Sequence, residues 1–301
     1  MKVFIHLGIH KTASTFLQTN IFTSLKSTKF LDRKEMKEFK NYVLYIDDFD
    51  FCKEKARNIF NKTVDKYAAF DSFLLSDEEF YGNPYIGVID RKRNIDRLIE
   101  VFKEDLRFLI FIRNQVKLML SLYSYYVKTG GTANIENFMG YKKYPLNVND
   151  AFFKYDAYLE YIKEILSDNK LKMVLYEDFV FSQQKTVEEI LDFLNESSLQ
   201  IKISDERTNK SLNYSLLNIV RFINRFIKSP KQPFLFFPIK THFLARKIFE
   251  TFEFSDTRSK NKLLKSIKEN TEFMNTVKDS NDNLIKVFED INIQEYDYPI
   301  N

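Results

Sequence analysis

Four short apolar runs punctuate the first part of the chain: residues 2–7 (KVFIHL), 72–76 (SFLLS), 107–112 (RFLIFI) and 171–175 (LKMVL). Runs this continuous in Val, Ile, Leu and Phe read as strands buried on both faces, as in a parallel sheet. Each is far shorter than the ~20 residues that span a bilayer. Between and after them, residues 91–104, 116–127, 150–166 and 185–194 place apolar side chains at helical spacing. Strands alternating with helices imply βαβ units, hence an α/β fold with a mostly parallel sheet and helices on both faces. Residues 33–70 read as partly helical with a strand at 42–46. The polar stretch from Gly130 to Asn149 reads as a loop or lid. Further helices are expected over 212–227 and near Lys240, Arg258 and Asn281. The expected organisation is a core over 1–211 and a helical C-terminal region over 212–301.

A chain of 301 residues with 44% hydrophobic content buries a core without staples. Cys52 is the sole cysteine, so no intrachain disulfide forms, and three histidines leave little for a metal cluster. The apolar start is ended by His6, Gly8 and His10, too soon for a signal-peptide core. The expectation is a cytoplasmic protein. Only six glycines occur, so Gly8 at the end of the first strand carries weight.

Gly8 opens a polar segment, Ile9-His10-Lys11-Thr12-Ala13-Ser14-Thr15, that leads into Phe16, Leu17 and Ile21 on one helical face. Strand, Ser/Thr-rich loop and helix start together make a phosphate cradle, because backbone N–H groups and the helix dipole favour an anion there. A nucleoside-triphosphate P-loop would need Gly, Lys and Ser/Thr at 13, 14 and 15. The chain has Ala13, Ser14 and Thr15, with its lysine at Lys11, and only Asp77 follows a strand as a magnesium-binding acid would. A Ser/Thr-capped helix after a strand is the plain alternative.

The segment His10 to Gln18 resembles the 5′-phosphosulfate loop of sulfotransferases that use 3′-phosphoadenosine 5′-phosphosulfate (PAPS), in which Lys-[Ser/Thr]-Gly-[Thr/Ser]-Thr opens the first helix. Ala13 stands where that family has Gly, which implies a negative φ and a reshaped turn. A second match follows the strand at 107–112. Arg113-Asn114-Gln115, with Ser121 eight residues after Arg113 and a Tyr-rich helix behind it, resembles the Arg-Asn-Pro strand end and Ser that bind the 3′-phosphate. Gln115 replaces the proline. Tyr176-Glu177-Asp178 resembles the family's Tyr-Glu-Asp strand end, whose Tyr lies near the adenine; core packing is the alternative for Tyr176. Asn209-Lys210-Ser211 resembles a segment that folds over the nucleotide in bacterial members; a solvated helix-capping turn is the alternative. The resemblance covers residues 1–215.

The resemblance implies a bacterial carbohydrate-sulfotransferase-like enzyme with a P-loop-like fold, PAPS as co-substrate and no metal. Lys11 would stabilise the leaving phosphate. Thr12, Ala13, Ser14 and Thr15 would hold the 5′-phosphate, and Phe16 would lie beside the adenine. The general base would come from Ser76-Asp77-Glu78-Glu79, with Glu78 first, Glu79 and Asp77 behind it, and His10 as a rival able to titrate near neutrality. His6, inside a strand, reads as structural.

From Arg207 to Phe249 there are nine Lys and Arg and no Asp or Glu, interleaved with aromatic residues. Such a stretch suits an anionic glycan or a peripheral contact with the inner membrane; a solvated face over a packed core is the alternative. The acceptor would then be a glycan or glycolipid. Two other readings predict different ligands. A P-loop-related small-molecule kinase would need Mg-ATP, and a nucleic-acid-binding module would bind oligonucleotides but leave the paired anion motifs unexplained.

Overall fold

The computed structural model describes residues 1–84, 90–140, 148–166, 168–201, 214–226 and 257–301. Two compact units are distinguished. The first comprises Met1–Asn83, Val88–Arg113 and Tyr155–Asp205; the second comprises Pro84–Gly87, Asn114–Lys154 and Glu206–Asn301. Residues 114–154, read above as part of the core, thus group with 206–301.

The first unit holds one parallel sheet of β1 (Lys2–Gly8), β2 (Thr28–Leu31), β3 (Ser72–Ser76), β4 (Leu106–Ile112) and β5 (Leu171–Leu175), in the order β2-β3-β1-β4-β5. All four pairings are parallel, with His6 opposite Ser76 and Gly8 opposite Phe111. The continuous apolar character of β1, β3 and β4 follows from burial on both faces. On one face, Phe4, Leu74 and Phe111 pack with Leu17, Ile21 and Val187. On the other, Phe73 meets Phe60, which in turn packs against Phe39 and Phe102.

The helical run after β1 begins as α1 (Ser14–Phe16) and continues through a π turn, Leu17–Ile21, and a 3-10 turn, Phe22–Ser24. Then come α2 (Lys37–Tyr45), α3 (Lys53–Val64) and α4 (Arg91–Phe102), and in the second unit α5 (Gln115–Lys128) and α6 (Ile135–Met139). The first unit resumes with α7 (Asp156–Ile165), α8 (Tyr176–Phe181) and α9 (Gln183–Phe193). The second unit continues with α10 (Leu216–Asn224), the helices Thr257–Lys268 and Thr271–Val287, and a 3-10 turn at Gln294–Tyr296.

Three expectations need correction. Residues 42–46 are not a strand: Val43 and Leu44 lie in α2, where Phe39 and Val43, four apart, share the buried face. The loop expected over 130–149 contains α6, capped by Asn134 accepting from the Asn137 N–H. The helix expected over 150–166 is a 3-10 turn, Asp150–Phe153, followed by α7. The break at Gly130 is real: its φ of 103° closes α5, and Asn224 Nδ2 donates to the carbonyls of Val127 and Gly131 at 2.7 and 2.9 Å. The helix expected near Lys240 lies outside the described residues.

Candidate functional site

In a parallel sheet, ligands bind beyond the carboxyl ends of the strands where the connections diverge to opposite sides. In the order β2-β3-β1-β4-β5, that point is the end of β1 and β4. Gly8 ends β1, and a Cβ there would lie 2.1 Å from Ser14 Oγ. A side chain at this position would crowd Ser14, so the glycine leaves room for the loop to fold back over its strand. Thr12, buried, donates its hydroxyl to the Ile9 carbonyl at 2.5 Å and pins the turn.

Ala13 corrects an expectation. Its φ is +65°, and that of Lys11 is +70°. Ala13 therefore adopts the left-handed conformation that glycine would favour, at a cost of about 1–2 kcal/mol for an L-residue. Left-handed residues in a turn gather backbone N–H groups into an anion-binding concavity. Ser14 Oγ is buried there with no hydrogen-bond partner among the described residues.

Arg113, directly after β4, crosses to this loop. Its Nη1 donates to the Lys11 carbonyl at 2.7 Å, its guanidinium lies 4.3 Å from the Tyr176 ring centroid, and its own carbonyl accepts from Tyr155 Oη at 2.8 Å. Arg113 Nε is buried without a partner among the described residues. Tyr176 begins α8 straight after β5, and Phe179 in the same helix packs against Phe16 at 5.6 Å. Residues 11, 113 and 176, scattered in sequence, therefore meet, and Phe16 packs on the helix that Tyr176 begins. Two orphaned polar atoms, a glycine-dependent fold-back and a planar cation form a set that fits a nucleotide phosphate.

The end of β3 supplies the acids. Ser76 Oγ lies 2.7 Å from His6 Nδ1 and accepts from Gln18 Nε2 at 2.9 Å. Asp77 Oδ1 accepts from the Glu79 N–H at 3.0 Å, and its Oδ2 pairs with Lys40 at 3.0 Å. Burial raises the Asp77 carboxyl above its ordinary value. Burial would also raise Glu79, but Lys40 at 2.8 Å and the Tyr45 hydroxyl at 2.7 Å override it and hold Glu79 below its ordinary value. Glu78 pairs with Arg33 at 2.5 Å.

His10 does not titrate near neutrality. Burial drives its pKa down to about 4, against the pull of Glu78 and with a further push from Lys11. The ring is neutral at pH 7 and stands within the field of both the loop lysine and the acids. Arg33, Lys40 and Tyr45 were not foreseen, and Gln18 only as the end of the matching loop segment. Each joins the site through a contact with a residue at least 34 positions away, which no local pattern signals. Ser121 lies half-buried in α5, in the second unit. Asn209, Lys210 and Ser211 lie outside the described residues. Among the described residues there is no cluster of metal-ligating side chains, and no helix is long and apolar enough to cross a membrane.

Sheet order and glycine-dependent loop define a P-loop-like α/β protein. Among solved structures it is similar to a sulfotransferase from Alicyclobacillus acidocaldarius, at 14% identity and a TM-score of 0.51, over 69% of this chain and 87% of that one. It is also similar to the sulfotransferase domain from the curacin biosynthetic pathway, at 14% identity and a TM-score of 0.40, over 89% and 97% of the two chains. A third likeness is to mouse sulfotransferase SULT7A1 complexed with PAP, at 11% identity and a TM-score of 0.36, over 96% and 88%. The first likeness shows that the fold is the sulfotransferase one. No protein-family model and no curated protein matches the chain.

Proposed function

We propose that the protein transfers a sulfuryl group from PAPS to a hydroxyl, or less favourably an amine, of a carbohydrate or glycolipid acceptor. The observation that carries this reading is the 2.7 Å bond from Arg113 Nη1 to the Lys11 carbonyl. It joins two motifs 102 residues apart, each of which resembles a phosphate-binding part of PAPS-dependent enzymes. Ser14 Oγ and Arg113 Nε, without a hydrogen-bond partner among the described residues, supply donors for an anion beside that bond.

In this reading Thr12, Ala13, Ser14 and Thr15 hold the 5′-phosphate, and Phe16 and Tyr176 flank the adenine. Arg113 holds the 3′-phosphate, with Ser121, Asn209, Lys210 and Ser211 assigned to the nucleotide by sequence match alone. The acceptor oxygen bonds to sulfur as the bridging sulfur–oxygen bond breaks, through a loose in-line transition state by analogy with phosphoryl transfer. Lys11 takes up charge on the leaving adenosine 3′,5′-bisphosphate, and Glu78 takes the acceptor proton. Because Glu78 is paired with Arg33, the acceptor hydroxyl must compete with that guanidinium or share the carboxylate with it. We place the reaction in the cytoplasm, at the inner membrane when the acceptor is lipid-linked.

Thermal unfolding tests the reading. Adenosine 3′,5′-bisphosphate should raise Tm without added metal, since a native-state ligand at about 100 times its Kd adds ~2.7 kcal/mol. A shift with ATP and Mg²⁺ alone would favour a kinase, and a shift with an oligonucleotide alone would favour a nucleic-acid-binding module.

A further inference from the structure

We propose that the segment 293–301 and a buried Gln115–Asn281 amide pair hold the start of α5 and thereby position Ser121, doing the work that a proline does in the Arg-Asn-Pro pattern. The role of Ser121 rests on the PAPS reading; the clamp on α5 does not.

Gln115 and Asn281 are both fully buried. Gln115 Nε2 donates to Asn281 Oδ1 at 2.6 Å, and Asn281 Nδ2 donates to Gln115 Oε1 at 3.2 Å and to the Pro299 carbonyl at 2.7 Å. Asn114, the preceding residue, does two things. Its Oδ1 caps α5 by accepting from the Lys117 N–H at 3.1 Å. Its Nδ2 donates to the carbonyls of Tyr296 and Asp297 at 3.2 and 2.8 Å. Capping needs only the oxygen, and Ser, Thr or Asp would supply it. The amide donors are the surplus, and both adjacent amides direct theirs into one network with residues 281 and 296–299.

That segment is itself anchored. Ile293 and Tyr298 are buried, and Asn301 Nδ2 donates to Asp282 at 2.8 Å. Asp297 turns the backbone at a φ of 57° so that the two carbonyls face Asn114. A proline at the first helical position fixes φ and needs no partner. Gln115, which occupies that position, has no such restriction, and its side chain is held instead. Buried amides that satisfy each other specify one arrangement, because breaking either strands the other. Ser121 sits six residues further along the same helix.

The test uses Asn114→Ser, which keeps the cap oxygen and removes both donors, and Asn281→Ala. Amide exchange without ligand should quicken by about tenfold or more over 115–121 and 293–301, while the strand amides stay unchanged. In calorimetry, adenosine 3′,5′-bisphosphate should bind about tenfold more weakly, and adenosine 5′-phosphate as before. The double variant Gln115→Pro/Asn281→Leu should restore the affinity for the bisphosphate. Exchange that is unchanged or quickened everywhere, equal losses for both nucleotides, or failure of the proline rescue would each overturn the proposal. If Asn281→Ala does not fold, Asn114→Ser decides. If the unaltered protein binds neither nucleotide, the PAPS reading and the role given to Ser121 fall, and exchange alone decides whether the segment holds α5.

Discussion

His6 and His10 bracket Gly8, and both rings are deprived of water. Burial lowers His6 from 6.5 to about 3 and His10 from 6.5 to about 4. In the unfolded chain each takes a proton as the pH falls through 6.5; in the folded chain neither does until much lower. Stability is therefore complete above pH 6.5 and declines as the pH drops toward 4, where the unfolded state binds more protons. The loss is on the order of 2 kcal/mol per histidine between about pH 6.5 and about pH 5. Urea unfolding at about pH 7.5 and about pH 5 should show it, and His6→Gln should remove part of the difference. An equal pH dependence in the variant would mean that His6 does not contribute. At this scale the sequence motifs pick out Gly8, Lys11, Ser14 and Arg113, which the structure places around one loop. Their conformations were not legible in the sequence. The left-handed φ of Ala13 depends on how the turn is held from Thr12 and Arg113, and a one-letter pattern reads only the steric preference that this packing overrides.

The ends of β1 and β3 present opposite charges across neighbouring strands, Lys11 on one and the acids 77–79 on the other. Two substitutions separate their roles. If the protein transfers sulfuryl groups as proposed, Lys11→Ala should lower turnover by about 10²–10³ even with PAPS saturating, because in that reading its charge acts as the sulfur–oxygen bond breaks. Glu78→Gln should lower turnover by about 10²–10⁴ and remove the acidic limb of the pH–rate profile, while nucleotide affinity stays nearly intact. Normal turnover in Glu78→Gln with the limb preserved would place the base elsewhere, and His10→Ala followed by Glu79→Gln would then locate it. β1, β3 and β4 were legible as elements because a strand buried on both faces is apolar throughout, and the edge strand β5 through its run of Leu171, Met173, Val174 and Leu175. β2 was not: four residues with Lys29 and Phe30 only half-buried make no periodic signal at a sheet edge. Residues 42–46 misled for a related reason, since β-branched and aromatic residues favour strands in isolation, but here only Val43 and Leu44 are buried, on the inner face of a helix.

Across the whole chain the net charge is only +4, yet residues 207–249 hold nine basic side chains and no acidic one, so the remainder is net negative. A segment with this charge would be attracted to an anionic surface. In the described portion of that stretch, Arg225 and the apolar Ile219, Phe222 and Phe226 are exposed. A basic surface with apolar side chains suits anionic lipid, each Lys or Arg near it contributing about 1 kcal/mol. Vesicles containing phosphatidylglycerol should therefore sediment the protein, and phosphatidylcholine vesicles should not. Binding should weaken as salt shortens the Debye length from about 10 Å at 0.1 M to about 3 Å at 1 M. Arg225→Glu should reduce vesicle binding by tenfold or more, because it removes one favourable charge and adds one repulsive one, roughly 2 kcal/mol in all. The exposed position of Arg225 predicts that Tm is left unchanged. Equal binding to both kinds of vesicle would assign the attraction to the aromatic side chains, and binding to neither would remove the membrane from the proposed function.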